Sequence, residues 1–182
     1  MSNRKLSKYM DEKTFTYSDT AKLKKLVNSF RTTVQFNIAA KLCQKIYDPL
    51  VEYYAKLGLK TNNAHYARPS SGFRGHDLNE AVGGSETSDH CILNVSVEGA
   101  AIDLNFTNLD PKQLFNDVFT GKIKQPNGQP LTQIIDQMIY EERHTKQGVQ
   151  RWVHFGRRNN PRRQFMYSLD GIHFHTTNTT IK

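Results

Sequence analysis

The sequence predicts an α+β domain, with helices first and a mainly antiparallel sheet after them. Three observations carry this prediction. Apolar residues recur at helical spacing from Ile38 to Leu57. The run "GAAIDLNF", 99 to 106, alternates strictly between its two faces. Two aromatic and branched runs in "QMIYEERHTKQGVQRWVHFG", 137 to 156, flank a polar turn.

Taken in order, the opening dozen residues are polar and predict a frayed start. Ser18 and Asp19 can cap a short helix in "TAKLKKLV". Ile38, Leu42, Ile46, Leu50, Tyr54 and Leu57 then mark a helix that covers the sheet and stops at Gly58. Pro49 interrupts it, so the helix is either kinked or split in two with Asp48 as the second cap. A further helix is signalled by "HDLNEAVGG", with Gly83 and Gly84 as its left-handed stop. Another begins at Asp110 and Pro111 and ends before Gly121.

In the alternating run, Ala101, Asp103 and Asn105 face one way, and Ile102, Leu104 and Phe106 the other. If Gln147 and Gly148 form the hairpin turn, Glu141 lies directly opposite His154, and Glu142 falls on the other face with Val153. A slip of one pairing step would exchange the two glutamates. A final strand is expected around "FMYSLDGIHFHT".

The chain of 182 residues suits a single domain, 1–182. Cys43 and Cys91 fit no CxxC pattern and read as free thiols. No apolar run follows the basic start and none is long enough to span a bilayer, so a soluble protein without a classical export signal is expected. The formal charge of +8 and pI near 9.5 favour acidic partners, whether nucleic acid, an anionic membrane surface or bacterial wall polymer. The densest basic cluster, "GRRNNPRR" at 156 to 163, reads as a solvated loop. With no recognised reading module near Arg157, Arg158, Arg162 and Arg163, nucleic-acid binding is not expected.

His90, Asp103 and His154 form a set that could supply the three protein ligands of a catalytic zinc, which keeps a fourth position for water. Spacing alone does not separate such a triple from ordinary histidines. The order of several motifs does. "SSGFRGHDLNEAVGGSETSDH", then "GAAIDL", "QMIYE" and "WVHFG", resemble the zinc D-Ala-D-Ala peptidase superfamily, which contains VanY-like carboxypeptidases and phage endolysins. The likeness extends upstream to "FTYSDTA" and "IYDPLVEYY" and downstream to "RRNNPRRQFMY". Its Ser-x-His falls on Ser88 and His90, its Gly-x-Ala-x-Asp on Gly99 and Asp103, and its Trp-x-His on Trp152 and His154.

The resemblance implies a Hedgehog/DD-peptidase-like fold and one zinc ion held by His90, Asp103 and His154. It implies Glu141 as the catalytic glutamate. Arg74 and Ser88 would bind substrate, Arg74 by gripping a carboxylate with two parallel hydrogen bonds. Two departures stand out. Twelve residues separate His90 from Asp103, about twice the family's usual number, so that segment is expected to loop out. The hairpin between Glu141 and His154 is also long. Both bear on specificity more than on metal binding.

The implied activity is hydrolysis of peptidoglycan stem peptides, by a D-Ala-D-Ala carboxypeptidase or an endopeptidase. An endolysin or cell-wall hydrolase made in a bacterial cytoplasm and acting in the periplasm or wall fits, as does a virion-associated enzyme. The alternative is a non-catalytic zinc-containing binding or virion structural protein on the same fold. Glu141 argues against it, since a structural zinc needs no base. His173 and His175 match no ligand motif and read as exposed residues of a tail strand; His76 and His144 fall in caps or turns.

Overall fold

Helical and extended segments separate along the chain as the hydrophobic periodicity requires, and the computed structural model describes residues 3–59 and 69–182. Two short helices come first, α1 (Glu12–Phe15) and α2 (Asp19–Leu23). Each has a side-chain cap: Thr14 N donates to Asp11 Oδ1 at 2.8 Å, and Ala21 N to Ser18 Oγ at 3.2 Å. The start before them does not fray. Leu6 and Met10 are fully buried, and Asp48 accepts from Ser7 Oγ at 2.6 Å and from Lys8 N at 3.0 Å. Two apolar anchors and one carboxylate are enough to dock a polar stretch. Residues 1 and 2 of that expected frayed segment lie outside the described residues.

Helix α3 (Thr33–Leu42) runs through a π-helical turn, Cys43–Tyr47, into α4 (Asp48–Lys56). Proline lacks an N–H and its ring crowds the carbonyl four residues back, so the widened turn just before Pro49 absorbs the conflict. Asp48 has helical dihedrals, φ −59 and ψ −46. It therefore caps nothing, and the run is one helix with a modified turn. Gly58 ends it at φ +82, which leaves Leu57 exposed rather than in the apolar stripe. Helices α5 (His76–Ala81) and α6 (Pro111–Phe119) follow, the latter capped by Asp110, whose Oδ1 accepts from Lys112 N at 2.9 Å.

Strands β1 (Ala100–Leu104), β2 (Gln137–Thr145), β3 (Gly148–Arg157), β4 (Gln164–Ser168) and β5 (His175–Thr176) form one sheet in the order β1-β3-β2-β4-β5. The expected mainly antiparallel sheet is in fact mixed, because β4 runs parallel to β2. The connection explains it. Strand β3 ends beside the start of β2 with its other edge occupied by β1, and only six residues, 158–163, lead to β4. So short a loop can pass over the start of β2 but cannot travel the length of the sheet. β4 therefore begins where β2 begins.

The hairpin register also differs from the expectation. Thr145 pairs with Gly148, so Lys146 and Gln147 make the turn. Glu141 lies opposite Trp152, and His154 opposite Ile139. This shift of two residues preserves facing: Glu141 remains on the side of His154, and Glu142 on the other. That other side, with Ile102, Leu104, Met138, Tyr140, Val153 and Phe155, packs into one core with Ile38, Leu42, Leu50 and Phe115 from the helices. The first side carries the candidate site.

Candidate metal centre

Asp103 stands near the end of β1, directly across from His154 on β3. The outer edge of β1 is held by the segment before α5: Asp103 N donates to Ser71 O at 2.7 Å, and Ser70 N to Asp103 O at 3.0 Å. Gly72 continues that segment. A Cβ on it would lie 2.2 Å from the Phe15 carbonyl oxygen, so only glycine lets the chain pass here. The Gly72 carbonyl in turn meets His90 Nδ1 at 2.7 Å. His90 rides on a 3₁₀ turn, Asp89–Cys91, whose His90 carbonyl accepts from Arg74 N at 3.0 Å.

Three donor atoms converge. His90 Nε2 is 3.3 Å from Asp103 Oδ1 and 3.3 Å from His154 Nδ1, and His154 Nδ1 is 2.9 Å from Asp103 Oδ1. These residues alone among those described form a group of three or more potential metal ligands, and all three are largely buried. Four ligands about 2.0–2.1 Å from a tetrahedral zinc are separated by about 3.3 Å, so the triangle matches one face of such a site. Two imidazoles and a carboxylate are also the donor types zinc accepts. With Nδ1 committed to the Gly72 carbonyl, His90 presents a bare Nε2. The set fits the metal.

Electrostatics agree with this geometry. Burial pushes the His90 imidazole towards its neutral form. Burial would raise the Asp103 carboxyl, but His90 and His154 together hold it well below the usual range. His154 is pulled the opposite way from its burial, upward, by Asp103. Arg74 adds a second contact to the aspartate, Nη2 to Oδ2 at 2.9 Å, while its Nε donates to Ser71 Oγ at 2.8 Å.

Glu141 lies one pairing step from His154 on the same face. Its carboxyl is pushed up to about 7, first by burial and then by the charge of Asp103. His154, a hydrogen bond from Trp152 and Arg74 pull it down. Such a group exchanges protons at neutral pH. Glu141, Arg74, Ser88, His90, Asp103 and His154 all line one cleft of about 890 Å³. Ser88 closes the turn that carries His90, its carbonyl accepting from Cys91 N at 3.0 Å.

The long segment after His90 loops out as expected. Left-handed residues Ile92 and Glu98 bracket a second 3₁₀ turn, Val95–Val97; Ile92 is buried, whereas Leu93 and Val95 face outward. The basic cluster is not simply solvated. Arg158 grips Asp89 with two bonds, Nε to Oδ2 at 3.0 Å and Nη2 to Oδ1 at 3.1 Å, and reaches Asp136 Oδ2 at 3.5 Å. Asp136, fully buried, is also held by Arg162 at 2.6 Å. Arg157 pairs with Glu98, which Lys41 also holds. Gly99 completes this clamp, since a Cβ there would stand 2.5 Å from Asp89 Oδ1. The arginines thus fasten both ends of the loop to the sheet.

Sequence reasoning missed this clamp, the Gly72 carbonyl behind His90 and the indole beside Glu141. The only sequence trace of the last two was their place within matched motifs. His173 pairs with Asp170 at 2.6 Å, His175 packs on Tyr167, and both are exposed. His76 is exposed on α5, and His144 Nε2 meets Leu169 O at 3.2 Å. Among the described residues no helix is long and apolar enough to cross a membrane.

A family model described as Peptidase M15 matches residues 15–133, which include Arg74, Ser88, His90 and Asp103. Glu141 and His154 lie beyond the matched stretch; the sheet brings them to the others. No curated protein and no solved structure matches the chain. The model covers well over half of the sequence, and the chain belongs to the peptidase M15 family.

Proposed function

We propose that this chain is a zinc-dependent peptidase that hydrolyses amide bonds in peptidoglycan stem peptides. One observation carries the reading: the His90, Asp103 and His154 donor triangle, with a proton-accepting carboxyl on the same sheet face. Zinc, when bound, supplies Lewis acidity and a water nucleophile at neutral pH. The chain's own residues do the rest. Arg74 holds Oδ2 of Asp103, which leaves Oδ1 turned to the two histidines. Glu141 takes a proton on its carboxylate and returns it to the leaving amine, two tasks suited to a group poised near 7.

The bond cut is the terminal D-Ala-D-Ala amide, as in a carboxypeptidase, or an internal or cross-linking amide, as in an endopeptidase. An endolysin or related cell-wall hydrolase, made in a bacterial cytoplasm and acting in the periplasm or wall, accords with the net charge of +8, which favours an anionic envelope. The test measures metal content and turbidity loss on purified peptidoglycan for wild type, His154→Ala and Glu141→Ala. About one zinc per chain is expected, lost in the histidine variant and kept in the glutamate variant, with lysis abolished in both. Zinc without lysis in the wild type would make the chain a binding protein on a peptidase scaffold. No zinc at all would refute the site.

A further inference from the structure

Among the described residues lining the cleft, two are permanent cations, Arg74 and Arg143. They stand in opposite situations. The Arg74 side chain is only 18% exposed and donates to Asp103 and Ser71. Two of its five N–H donors are thus already committed to protein acceptors. Arg143 is exposed, and its side chain makes no hydrogen bond or ion pair among the described residues. It follows Glu141 by two positions on β2, so it shares that face of the sheet, with its Cα about 7 Å farther towards the hairpin turn. Directly across from it on β3 is Gln150, another cleft residue. The long hairpin noted in the sequence is what supplies this extra floor.

One wall of the extension is fixed. The loop between β4 and β5 folds around Asp170, whose Oδ1 accepts from Ile172 N and His173 N, each at 2.8 Å, and whose Oδ2 pairs with His173. Satisfied by its own loop, Asp170 does not neutralise Arg143. Gly171 of that loop lies against the Arg143 stem. Beyond it Ile172 and Phe174, 72% and 44% exposed, turn apolar surface into the cleft. Here a guanidinium, an amide and two apolar side chains stand one strand step past the proposed base.

We propose that Arg143, with Gln150 beside it and Ile172 and Phe174 as its wall, is the subsite for a substrate carboxylate within two residues of the scissile bond. The inference rests on the peptidase reading. It moves recognition of the carboxylate from Arg74 to Arg143, and makes Arg74 a positioning residue for Asp103. The carboxylate has two sources, the C-terminus of the peptide or an acidic side chain.

The test is calorimetric binding of three otherwise identical stem peptides to zinc-loaded protein that is wild type, Arg143→Gln or Arg143→Lys at position 143, each in a Glu141→Gln background that stops turnover. One peptide is fully acidic, one amidated at the C-terminus and one amidated at the acidic side chain. The wild type should bind the acidic peptide about tenfold or more tightly than one of the amidated forms. The amide that removes this gain identifies the source of the carboxylate. Arg143→Gln should bind all three alike, and Arg143→Lys should recover part of the preference. Equal binding of all three by the wild type, a preference that survives in Arg143→Gln, or no binding at all would each overturn the proposal. Binding is read without turnover in this background, so a preference that depends on Arg143, beside a Glu141-bearing protein that cleaves none of the peptides, would sink the peptidase reading and leave the subsite standing.

Discussion

The two ends of the cleft are built differently. At the β1 end, Asp103 is contacted on both carboxylate oxygens, His90 is fixed from behind by the Gly72 carbonyl, and the turn carrying His90 is clamped through Asp89 to Arg158. At the hairpin end, Arg143 and Gln150 are exposed, and Ile172 and Phe174 show apolar surface to solvent. Groups that must hold one geometry are over-determined there by their neighbours. The groups proposed to select among substrates are left accessible on extensions of the scaffold, where change disturbs little else.

The sharpest way to break the comparison is Asp103→Ala. It leaves Arg74 without its carboxylate partner at a largely buried place and removes one of the three donors. The expected outcome is a chain that retains no zinc and loses about 3–5 kcal/mol of stability, measured by metal analysis and urea unfolding. Arg143→Gln, at the open end, should shift the same unfolding curve by less than about 0.5 kcal/mol. Comparable losses at both ends would erase the contrast.

What the sequence revealed follows the same division. Caps, helix stops and the alternation around Asp103 are local signals, and they matched: Ser18, Asp110 and Gly58 stand where their chemistry puts them. The hairpin register was missed because Gln147-Gly148 resembles a turn dipeptide. The Thr145 hydroxyl accepts from Gln147 N at 3.2 Å, which moves the turn back one residue and leaves Gly148 at its exit with φ +120. Periodicity cannot see pairs distant in sequence. The docking of Leu6 and Met10, the parallel β2–β4 pairing and the bond from Arg158 to Asp89, 69 residues away, are all of that kind. The candidate ligand set was legible only through its resemblance to a family, since nothing local distinguishes His90 from His173.

A second, smaller effect separates arginines within one basic cluster. Arg158→Ala strips the partner from Asp89 and one of the two partners from the fully buried Asp136. It should cost about 1–3 kcal/mol and weaken zinc retention, because the turn that carries His90 loses its tie to β3. Arg163 is exposed and among the described residues its side chain reaches only Gln133, at 3.5 Å, so Arg163→Ala should stay within about 0.5 kcal/mol of wild type with zinc unchanged. Urea unfolding of the two variants with parallel metal analysis checks both expectations. Equal costs would mean that the cluster acts as diffuse surface charge rather than as a clamp.

A pH-dependent effect belongs to Glu141, which stands between the two ends. In the metal-free protein its carboxyl titrates at about 7, against an ordinary 4.5, because burial and Asp103 both oppose its charge. The folded state therefore binds more protons than the unfolded chain between those two values. Stability then falls as pH rises through that window, and no longer changes through this group above it. Glu141→Gln removes the titration. Melting of metal-free wild type and Glu141→Gln at pH 5 and pH 8 should show the variant gaining on wild type at the higher pH, by roughly 2 kcal/mol. A gain independent of pH would place Glu141 with the solvated groups of the open end, and the boundary between the two ends would move inward to His154.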